Sequence, residues 1–334
     1  MKTNNETHAA LICVDAGTTN TRVWMTRGDR ILAKAQATVG VRDTARDGSN
    51  ARLQAALGDL IARVCRERPP EEDEAPACVI AAGMITSPLG LTEVPHIPAP
   101  AGIAELADAV EQYSFSDITA LPILLVPGVR CGPAPCDPDA IGAADVIRGE
   151  ETLAAGLVAT GRLGPRATLL NLGSHWKAIR LDERSRIAAS VTSMSGELIH
   201  TAQTQTILAD AVPHERPAEL DSIWLEAGMR QQRQAGLARA LFCVRLLHQC
   251  CDGTPDERLA FLIGAFLAAD LDALISRKVL TPDSHVAITG GGLIAEAWQS
   301  ALARAAIASS LVGESEVEAA MLAGFSQIAH AAFI

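Results

Sequence analysis

The sequence lacks three features that mark large classes of protein. It has no run of basic residues, and its 39 Asp and Glu outnumber its 28 Lys and Arg, which gives a formal net charge of -11. Since nucleic-acid-binding surfaces are basic, this balance argues against a nucleic acid as a partner. The first ten residues, MKTNNETHAA, lack the apolar core of a signal peptide, and the longest apolar run, 259–269, is too short to span a bilayer. We therefore expect no membrane partner and a cytoplasmic location.

Cysteine is present, but the C-x-x-C spacing of common metal and redox sites is missing. Most of the 8 cysteines are expected to be reduced and to act as small apolar residues. Two arrangements leave an alternative open. Cys131 and Cys136, in the stretch CGPAPC, could form a disulfide or bind a metal, and so could the group Cys243, His248 and Cys250.

Length and apolar content favour two domains. A chain of 334 residues of which 49% are apolar can build two hydrophobic cores. The segment 128–145 is rich in Gly, Pro and Ala, which predicts a mobile flap at a domain junction. We therefore place the two domains at 1–145 and 146–334.

The stretch 11–22, LICVDAGTTNTR, predicts a β-hairpin with a polar tip. Gly17 lets the backbone approach an anion, and Thr18 and Thr19 offer N–H and hydroxyl donors. Asp15 can hold a Mg²⁺ ion through water. Such a tip suits the β- and γ-phosphates of a nucleotide, although an ordinary turn capped by Asp and Thr would have the same sequence.

A second copy of this pattern supports the phosphate-binding interpretation. Residues 168–179, TLLNLGSHWKAI, again place a short polar turn, Gly173 to His175, between two apolar strands. Two such hairpins half a chain apart predict two similar domains that face each other across a cleft.

The first half of the chain also contains a candidate substrate loop. The pattern predicts a strand over 35–41, a helix with one buried face over 51–66 and a buried strand over 78–82. That strand runs directly into 83–90, GMITSPLG, which cannot continue it. Because loops at the ends of strands bind ligands in α/β domains, we interpret 83–90 as a substrate loop, with a plain turn as the alternative.

Two further stretches, both in the predicted second domain, carry candidate chemistry. Glu150 and Glu151 open a helix, where they either cap free N–H groups or face the cleft as a catalytic base. The strand 286–289 ends in a run of three glycines before the helix 294–306. That run lets the chain lie flat against a purine or a phosphate, or simply makes a tight turn.

Several sequence motifs are present along the chain: DAGTTNTRVW, AAGMITSPLGL, VPGV, VIRGEETLAAG, NLGSHWKAI, SMSGELIH and ITGGGLIAEAW. Together they resemble the 2-dehydro-3-deoxygalactonokinase family, within the sugar kinase, actin and Hsp70 ATPase superfamily. The resemblance implies an α/β fold of two actin-like (ribonuclease H-like) domains, with mixed sheets flanked by helices and the active site in the interdomain cleft. It also implies transfer of the ATP γ-phosphate to the 6-hydroxyl of 2-dehydro-3-deoxy-D-galactonate in D-galactonate catabolism. Two positions depart from the family: Leu172 to His175 read Leu-Gly-Ser-His where Pro-Gly-Thr-His is more common, and Ser195 replaces a Thr.

The resemblance carries roles over to matching residues. The cofactors ATP and Mg²⁺ are then bound by a first phosphate loop with Asp15 at the metal, a second phosphate loop, and an adenosine loop. These positions are Asp15, Gly17, Thr18 and Thr19; Gly173, Ser174 and His175; and Gly290, Gly291 and Gly292. Glu151 takes the place of the catalytic base, with Glu150 as its neighbour.

The sugar acid needs a cation for its carboxylate, and Arg148 and Arg22 are the candidates. Further substrate-binding positions are Asn20, Gly83 and Ser87. Lys177 or Arg22 could stabilise the charge of the transferring phosphoryl group, although Lys177 could instead extend to water and His175 could simply hold its hairpin. Three alternatives stay open: a kinase of another sugar or sugar acid, a phosphohydrolase of the same superfamily, and a non-catalytic nucleotide-dependent sensor or assembly protein. The chain could also form a homo-oligomer.

Overall fold

The computed structural model describes residues 9–72, 74–133, 138–215, 219–250 and 253–333. Two of the cysteines considered above, Cys136 and Cys251, lie outside these residues. The chain forms two compact units. The first unit is Met1–Pro165, Leu181–Ala189 and Ser315–Ile334, and the second is Arg166–Arg180 and Ser190–Glu314.

The described residues form strands and helices throughout. The strands are β1 Leu11–Ala16, β2 Thr21–Arg27, β3 Arg30–Ala37, β4 Cys78–Gly83, β5 Ile97–Pro98, β6 Glu111–Tyr113, β7 Ile123–Leu125, β8 Val129–Cys131, β9 Asp145–Ile147, β10 Thr168–Leu172, β11 Trp176–Leu181, β12 Ile187–Ser193, β13 His285–Gly290 and β14 Ala308–Val312. The α-helices are α1 Val41–Asp47, α2 Ala51–Glu67, α3 Ile103–Asp108, α4 Glu150–Ala159, α5 Ser195–Gln205, α6 Ser222–Ala235, α7 Leu237–Cys250, α8 Pro255–Ser276, α9 Leu293–Arg304 and α10 Glu314–Phe333. Short 3-10 helices cover Met84–Thr86 and Ile141–Ala143.

A six-stranded mixed sheet with the order β3-β2-β1-β4-β7-β6 organises the first unit. The predicted hairpin is confirmed, since β1 and β2 pair antiparallel with Asp15 opposite Arg22. Strand β4 runs parallel to β1 and places Gly83 opposite Ala16. The carboxyl ends of β1 and β4 therefore meet at one edge of the sheet. Helix α2, predicted from its periodicity, buries one apolar face beside this sheet.

The second sheet, β12-β11-β10-β13-β14, repeats this arrangement. Strands β10 and β11 form the second predicted hairpin, and β13 runs parallel to β10 as β4 runs parallel to β1. Leu172, at the end of β10, stands opposite Gly290 at the end of β13. The glycine run and the Gly-Ser-His turn therefore follow neighbouring strand ends.

Helix α8 is the central helix of the second unit. By length and composition alone it could cross a membrane, because its most apolar window has a mean hydropathy of 1.9. However, 67% of that window is buried inside the structure, and Phe266 and Leu267 lie in the hydrophobic core of the second unit. The helix is packed as a core helix.

Two sequence-based expectations were wrong, and one alternative that the sequence left open is not supported. The strand predicted over 35–41 ends at Ala37, and helix α1 begins at Val41, because Asp43 accepts a hydrogen bond from the N–H of Gly40 and caps the new helix. The predicted flap 128–145 contains β8, which pairs with β9 in a three-stranded sheet. Among the residues described, no group of three or more His, Cys, Asp or Glu could hold a metal, so Cys243, His248 and Cys250 of α7 form no such site. Cys243 and His248 are five residues apart on α7, so their side chains leave the helix in directions that differ by about 140° around its axis.

Candidate active site

The carboxyl ends of β1 and β4 bring Asp15 and Gly83 together with the start of α4. Gly83 has φ of 87°, and a Cβ there would lie 2.6 Å from the carbonyl oxygen of Ala16 and 3.3 Å from Asp15 Oδ1. Gly149 has φ of 103° and directly precedes α4, and its missing Cβ would lie 3.2 Å from Gly83 Cα. Since both glycines combine a left-handed φ with a close backbone approach, only glycine fits at either position. They let the first turn of α4 reach the end of β4.

Three charged groups meet at this point of the first unit. Arg22 Nη1 lies 3.6 Å from Asp15 Oδ2, and the charge of Glu150 also acts on Asp15. The pKa of Asp15 is raised to about 6: burial is the largest cause, the charge of Glu150 adds to the rise, and the neighbouring Arg22 opposes it. Two carboxylates and one cation therefore share the site predicted for the first phosphate loop and the metal.

The loop between β1 and β2 is held from behind by α1. The N–H of Gly17 donates to the carbonyl of Asn20 at 2.8 Å, and the Asn20 amide donates to Thr19 Oγ1 at 3.1 Å. The N–H of Arg42, in the first turn of α1, donates to the carbonyl of Thr18 at 2.9 Å. A Cβ at Gly40 would lie 2.5 Å from that same carbonyl oxygen. The sequence reasoning missed this support, although Gly40 followed by Asp43 is a helix-start signal.

The two glutamates at the start of α4 have different surroundings. Glu151 is fully buried, and its two carboxylate oxygens accept from the N–H of Gly149 at 2.8 and 2.7 Å. As the second residue of α4, it thereby closes the N-terminus of that helix by binding the backbone N–H of Gly149. Glu150 is half-buried, accepts from the backbone N–H of Arg148 at 3.2 Å and acts on Asp15. The structure thus brings Glu150, rather than Glu151, to Asp15.

Arg148 binds the candidate substrate loop from inside. Its Nη1 donates to the carbonyl of Thr86 at 2.5 Å and also to the Thr86 hydroxyl. Its Nη2 donates to the carbonyl of Val94 at 3.0 Å and to His96 Nδ1 at 3.2 Å. Ser87, which is buried, donates its hydroxyl to the carbonyl of Met84 at 2.7 Å. Arg148 and Ser87, two of the residues expected to bind substrate, therefore fix the shape of the candidate substrate loop.

His96, six residues beyond the candidate substrate loop, also contacts Arg148, and the sequence reasoning missed it. An Arg side chain can only donate, so Nδ1 of His96 accepts from Arg148 and is unprotonated. Burial, together with the positive charges of Arg148 and Arg130, lowers the pKa of His96 from 6.5 to about 4. His96 is therefore a neutral acceptor at neutral pH.

In the second unit, the exposed turn Gly173 to His175 is packed against the first turn of α5. The N–H of Glu197 donates to the carbonyl of Ser174 at 2.7 Å, and a Cβ at Gly196 would lie 2.2 Å from the carbonyl oxygen of Gly173. His175 Nε2 lies 3.1 Å from Glu197 Oε2. These backbone contacts use the carbonyls of the turn and none of its N–H groups, which are the groups that an anion-binding turn would use. Lys177, partly exposed, follows on β11 in register with Asn171.

The glycine run lies next to this turn. Gly290, Gly291 and Gly292 have φ of 72°, 77° and 51°, values that favour glycine. A Cβ at Gly290 would lie 2.7 Å from the carbonyl oxygen of Leu172, and one at Gly291 would lie 2.9 Å from Leu172 Cβ. The run therefore packs against the residue that precedes the Gly-Ser-His turn and leads directly into the start of α9.

Comparison with known proteins points to one family. The family profile described as 2-keto-3-deoxy-galactonokinase matches residues 15–328. The 2-dehydro-3-deoxygalactonokinase of Escherichia coli (strain K12) is 27% identical over 330 residues, which is 97% of this chain and 98% of that protein. A crystal structure from Sinorhizobium meliloti, provisionally named a 2-dehydro-3-deoxygalactonokinase, has a TM-score of 0.76 at 26% identity and covers 96% of this chain and 98% of its own.

A more distant structure shares the fold alone. The activator of the 2-hydroxyisocaproyl-CoA dehydratase from Clostridium difficile, solved with bound ADPNP, has a TM-score of 0.51 at 11% identity and covers 97% of this chain and 96% of its own. It places the two repeated hairpin sheets within the actin-like ATPase fold. Since the family profile covers nearly the whole chain, the chain belongs to the 2-keto-3-deoxy-galactonokinase family and is a carbohydrate kinase of the actin-like ATPase fold.

Proposed function

We propose that this kinase transfers the γ-phosphate of ATP to the 6-hydroxyl of 2-dehydro-3-deoxy-D-galactonate, the acid that the family description calls 2-keto-3-deoxy-galactonate. The observation that carries the proposal is the repeated hairpin, whose two tips are both shaped for anions by glycines and by backbone support from a neighbouring helix. Phosphoryl transfer needs positioning and charge stabilisation more than covalent chemistry, and such tips supply both.

Glu150 is our candidate for the base that accepts the proton of the attacking hydroxyl. It is half-buried, stands at the start of α4 and lies close enough to Asp15 to raise the pKa of that carboxyl. Glu151 is a weaker candidate, because both of its oxygens already bind Gly149 and its side chain is inaccessible to solvent. A general base must reach the proton that it removes.

Asp15 is the residue we expect to hold Mg²⁺, with Glu150 as its neighbour. The residues fit such an ion, because burial and a second carboxylate make the charged form of Asp15 unfavourable unless a cation is present. Mg²⁺ keeps most of its waters and commonly uses one or two protein carboxylates together with phosphate oxygens. When bound, it would neutralise charge on the β- and γ-phosphates.

The remaining roles follow from the placement of each side chain. We assign Gly17, Thr18 and Thr19 to one phosphate contact and Gly173, Ser174 and His175 to another, with Gly290, Gly291 and Gly292 against the adenosine. Arg22, whose side chain is 55% exposed, is the cation we expect to meet the sugar-acid carboxylate or the transferring group, with Lys177 as the second candidate for the latter. Asn20 and the loop that contains Gly83 would complete the substrate contacts. We also propose that the enzyme works in the cytoplasm.

The first experiment measures ADP release with Mg-ATP and several acceptors. We expect release with 2-dehydro-3-deoxy-D-galactonate, weaker release with its gluconate epimer, and none above background with neutral hexoses or without acceptor. Release that does not depend on acceptor would indicate a phosphohydrolase, and release with another acid alone would change the substrate.

The base is tested by two matched variants. Glu150→Gln should lower kcat by about 10²- to 10⁴-fold while ATP binding stays within about twofold, the range for loss of a general base. Glu151→Gln should lower the melting temperature, since it disturbs a buried helix cap, and should leave most of kcat. If Glu151→Gln abolishes turnover in folded protein and Glu150→Gln does not, the base is Glu151.

A further inference from the structure

A cluster of two serines and one aspartate lies beneath the second phosphate turn. Ser193 Oγ donates to Asp270 Oδ2 at 2.6 Å, and the Ser195 hydroxyl also binds this carboxylate. The two serine oxygens are 3.2 Å apart, and the backbone N–H of Ser195 points to Ser193 Oγ at 3.4 Å. We call Ser193, Ser195 and Asp270 the serine clamp.

The clamp joins three elements of the second unit. Ser193 is the last residue of β12, Ser195 is the first residue of α5, and Asp270 belongs to the core helix α8. The 2.6 Å bond has the short length of a charge-assisted hydrogen bond, which is stronger than a bond between neutral groups. The start of α5 is therefore bonded to the buried core helix of the unit.

The residue after the clamp touches the phosphate turn directly. Gly196 leaves no room for a side chain against the carbonyl of Gly173, and the N–H of Glu197 binds the carbonyl of Ser174. A shift of the first turn of α5 would therefore rotate the peptide groups of Gly173 and Ser174. Those peptides carry the N–H groups that we assign to the nucleotide phosphates.

Stability alone gives no reason for a carboxylate at position 270. Nearby residues of α8, Leu267, Ala268 and Leu271, are buried in the core, and Asp270 itself is half-buried. Burial raises the pKa of Asp270, although the hydrogen bonds from Ser193 and Ser195 oppose this rise, so the charge is held at a cost. Where only packing is needed, an apolar side chain of similar volume is usually as stabilising or more so. What the carboxylate adds is two directed hydrogen bonds to the start of α5.

We propose that Asp270, acting through Ser193 and Ser195, is a positioning residue for the second phosphate turn and sets the affinity of the kinase for the phosphate tail of its nucleotide. The inference rests on the proposed function, because it takes the Gly173 to His175 turn as a phosphate contact. It assigns no contact between Asp270 and the nucleotide itself. Its effect should grow with the number of phosphates and should be absent from binding of the adenosine part.

The test measures, by calorimetric titration of intact protein variants, the affinity for three nucleotides with Mg²⁺: AMP, ADP and the non-hydrolysable analogue AMPPNP. Asp270→Asn and Ser193→Ala should each bind AMPPNP roughly tenfold more weakly, the effect expected from one lost charge-assisted hydrogen bond, and AMP within about twofold of wild type. Ser193→Thr keeps the hydroxyl and should restore the affinity for AMPPNP. The matched control is Asp272→Asn, two residues further along α8, where an exposed carboxylate pairs with Arg233.

The outcomes separate this inference from the proposed function. If wild type binds no nucleotide, or releases no ADP with any acceptor, the proposed function fails. If wild type binds AMPPNP but Asp270→Asn and Ser193→Ala match the Asp272→Asn control, the positioning role is refuted. An equal loss of affinity for AMP, ADP and AMPPNP would also refute the positioning role, because general damage to the second unit would weaken binding of all three nucleotides alike. Should Asp270→Asn fail to fold by circular dichroism, Ser193→Ala decides.

Discussion

Protonation of one histidine should weaken the folded protein as the pH falls. His96 accepts a hydrogen bond from Arg148 through Nδ1, and Arg130 adds a second positive charge nearby. An imidazolium at this position would have two like charges beside it and no lone pair for Arg148. His96→Gln removes the titrating group, and its amide oxygen still offers an acceptor to Arg148.

The pKa values give the direction and size of the effect. The ordinary pKa of His is 6.5, and burial together with the two arginines lowers that of His96 to about 4. The unfolded chain therefore binds more protons than the folded one in this interval, so the stability contributed by His96 is complete above pH 6.5 and is lost as the pH falls towards 4. The full shift corresponds to ~3 kcal/mol. Because the ring is half-buried and partly screened by water, we expect about 1–2 kcal/mol.

Two measurements check this prediction. The free energy of unfolding, from urea denaturation at about pH 7.5 and about pH 5, should fall by about 1–2 kcal/mol more in wild type than in His96→Gln. In a carbon–proton NMR titration, the ring signal that disappears in His96→Gln should titrate near 4 in wild type. Equal losses of stability in the two proteins, or a titration of that signal near the ordinary value of 6.5, would refute the argument.

Two further predictions concern the first unit. Arg148→Lys replaces the guanidinium, which donates to four acceptors, by a single ammonium group. In steady-state kinetics, the Michaelis constant for the sugar acid should therefore rise by about tenfold, with a smaller change in the constant for ATP. Equal changes in both constants would contradict a role of Arg148 in the substrate loop. Gly324→Ala places a Cβ 2.1 Å from the carbonyl oxygen of Thr152 on α4 and should destabilise the fold by about 1–3 kcal/mol, seen as a lower melting temperature. Gly164→Ala, where no heavy atom lies within 4 Å, is the control, and matching melting temperatures would refute the clash.

Much of the fold could be predicted because its signals are local. The two hairpins, the buried strand that became β4 and the helix α2 each carry their pattern in fewer than twenty consecutive residues. Glycine and short polar residues at the strand ends then marked both of the turns that we propose to bind phosphate. The repeat of the motif was more informative than either copy, since one short turn has many explanations.

The structural features that the sequence did not predict depend on interactions between residues that are distant along the chain. Strands β8 and β9 are three residues long, too short to show a period, and pair across the segment expected to be a flap. Ser193 and Asp270 are 77 positions apart, and nothing in either local sequence indicates that they bond. The support of a phosphate turn by a neighbouring helix is likewise a tertiary contact.

The two glutamates of α4 show where sequence reasoning reaches its limit at a site. Adjacent residues of a helix are turned by about 100°, so two identical side chains at positions 150 and 151 must face different surroundings. A motif can mark the start of the helix, but it cannot tell which side faces Asp15, because that depends on how Gly149 packs on Gly83. Once this contact is in place, Glu151 is turned inward and closes the helix end, while Glu150 is left beside Asp15. The left-handed backbone of Gly149 and its close approach to Gly83 thus accompany a buried Glu151 that closes the helix end and a Glu150, beside Asp15, that we propose as the base.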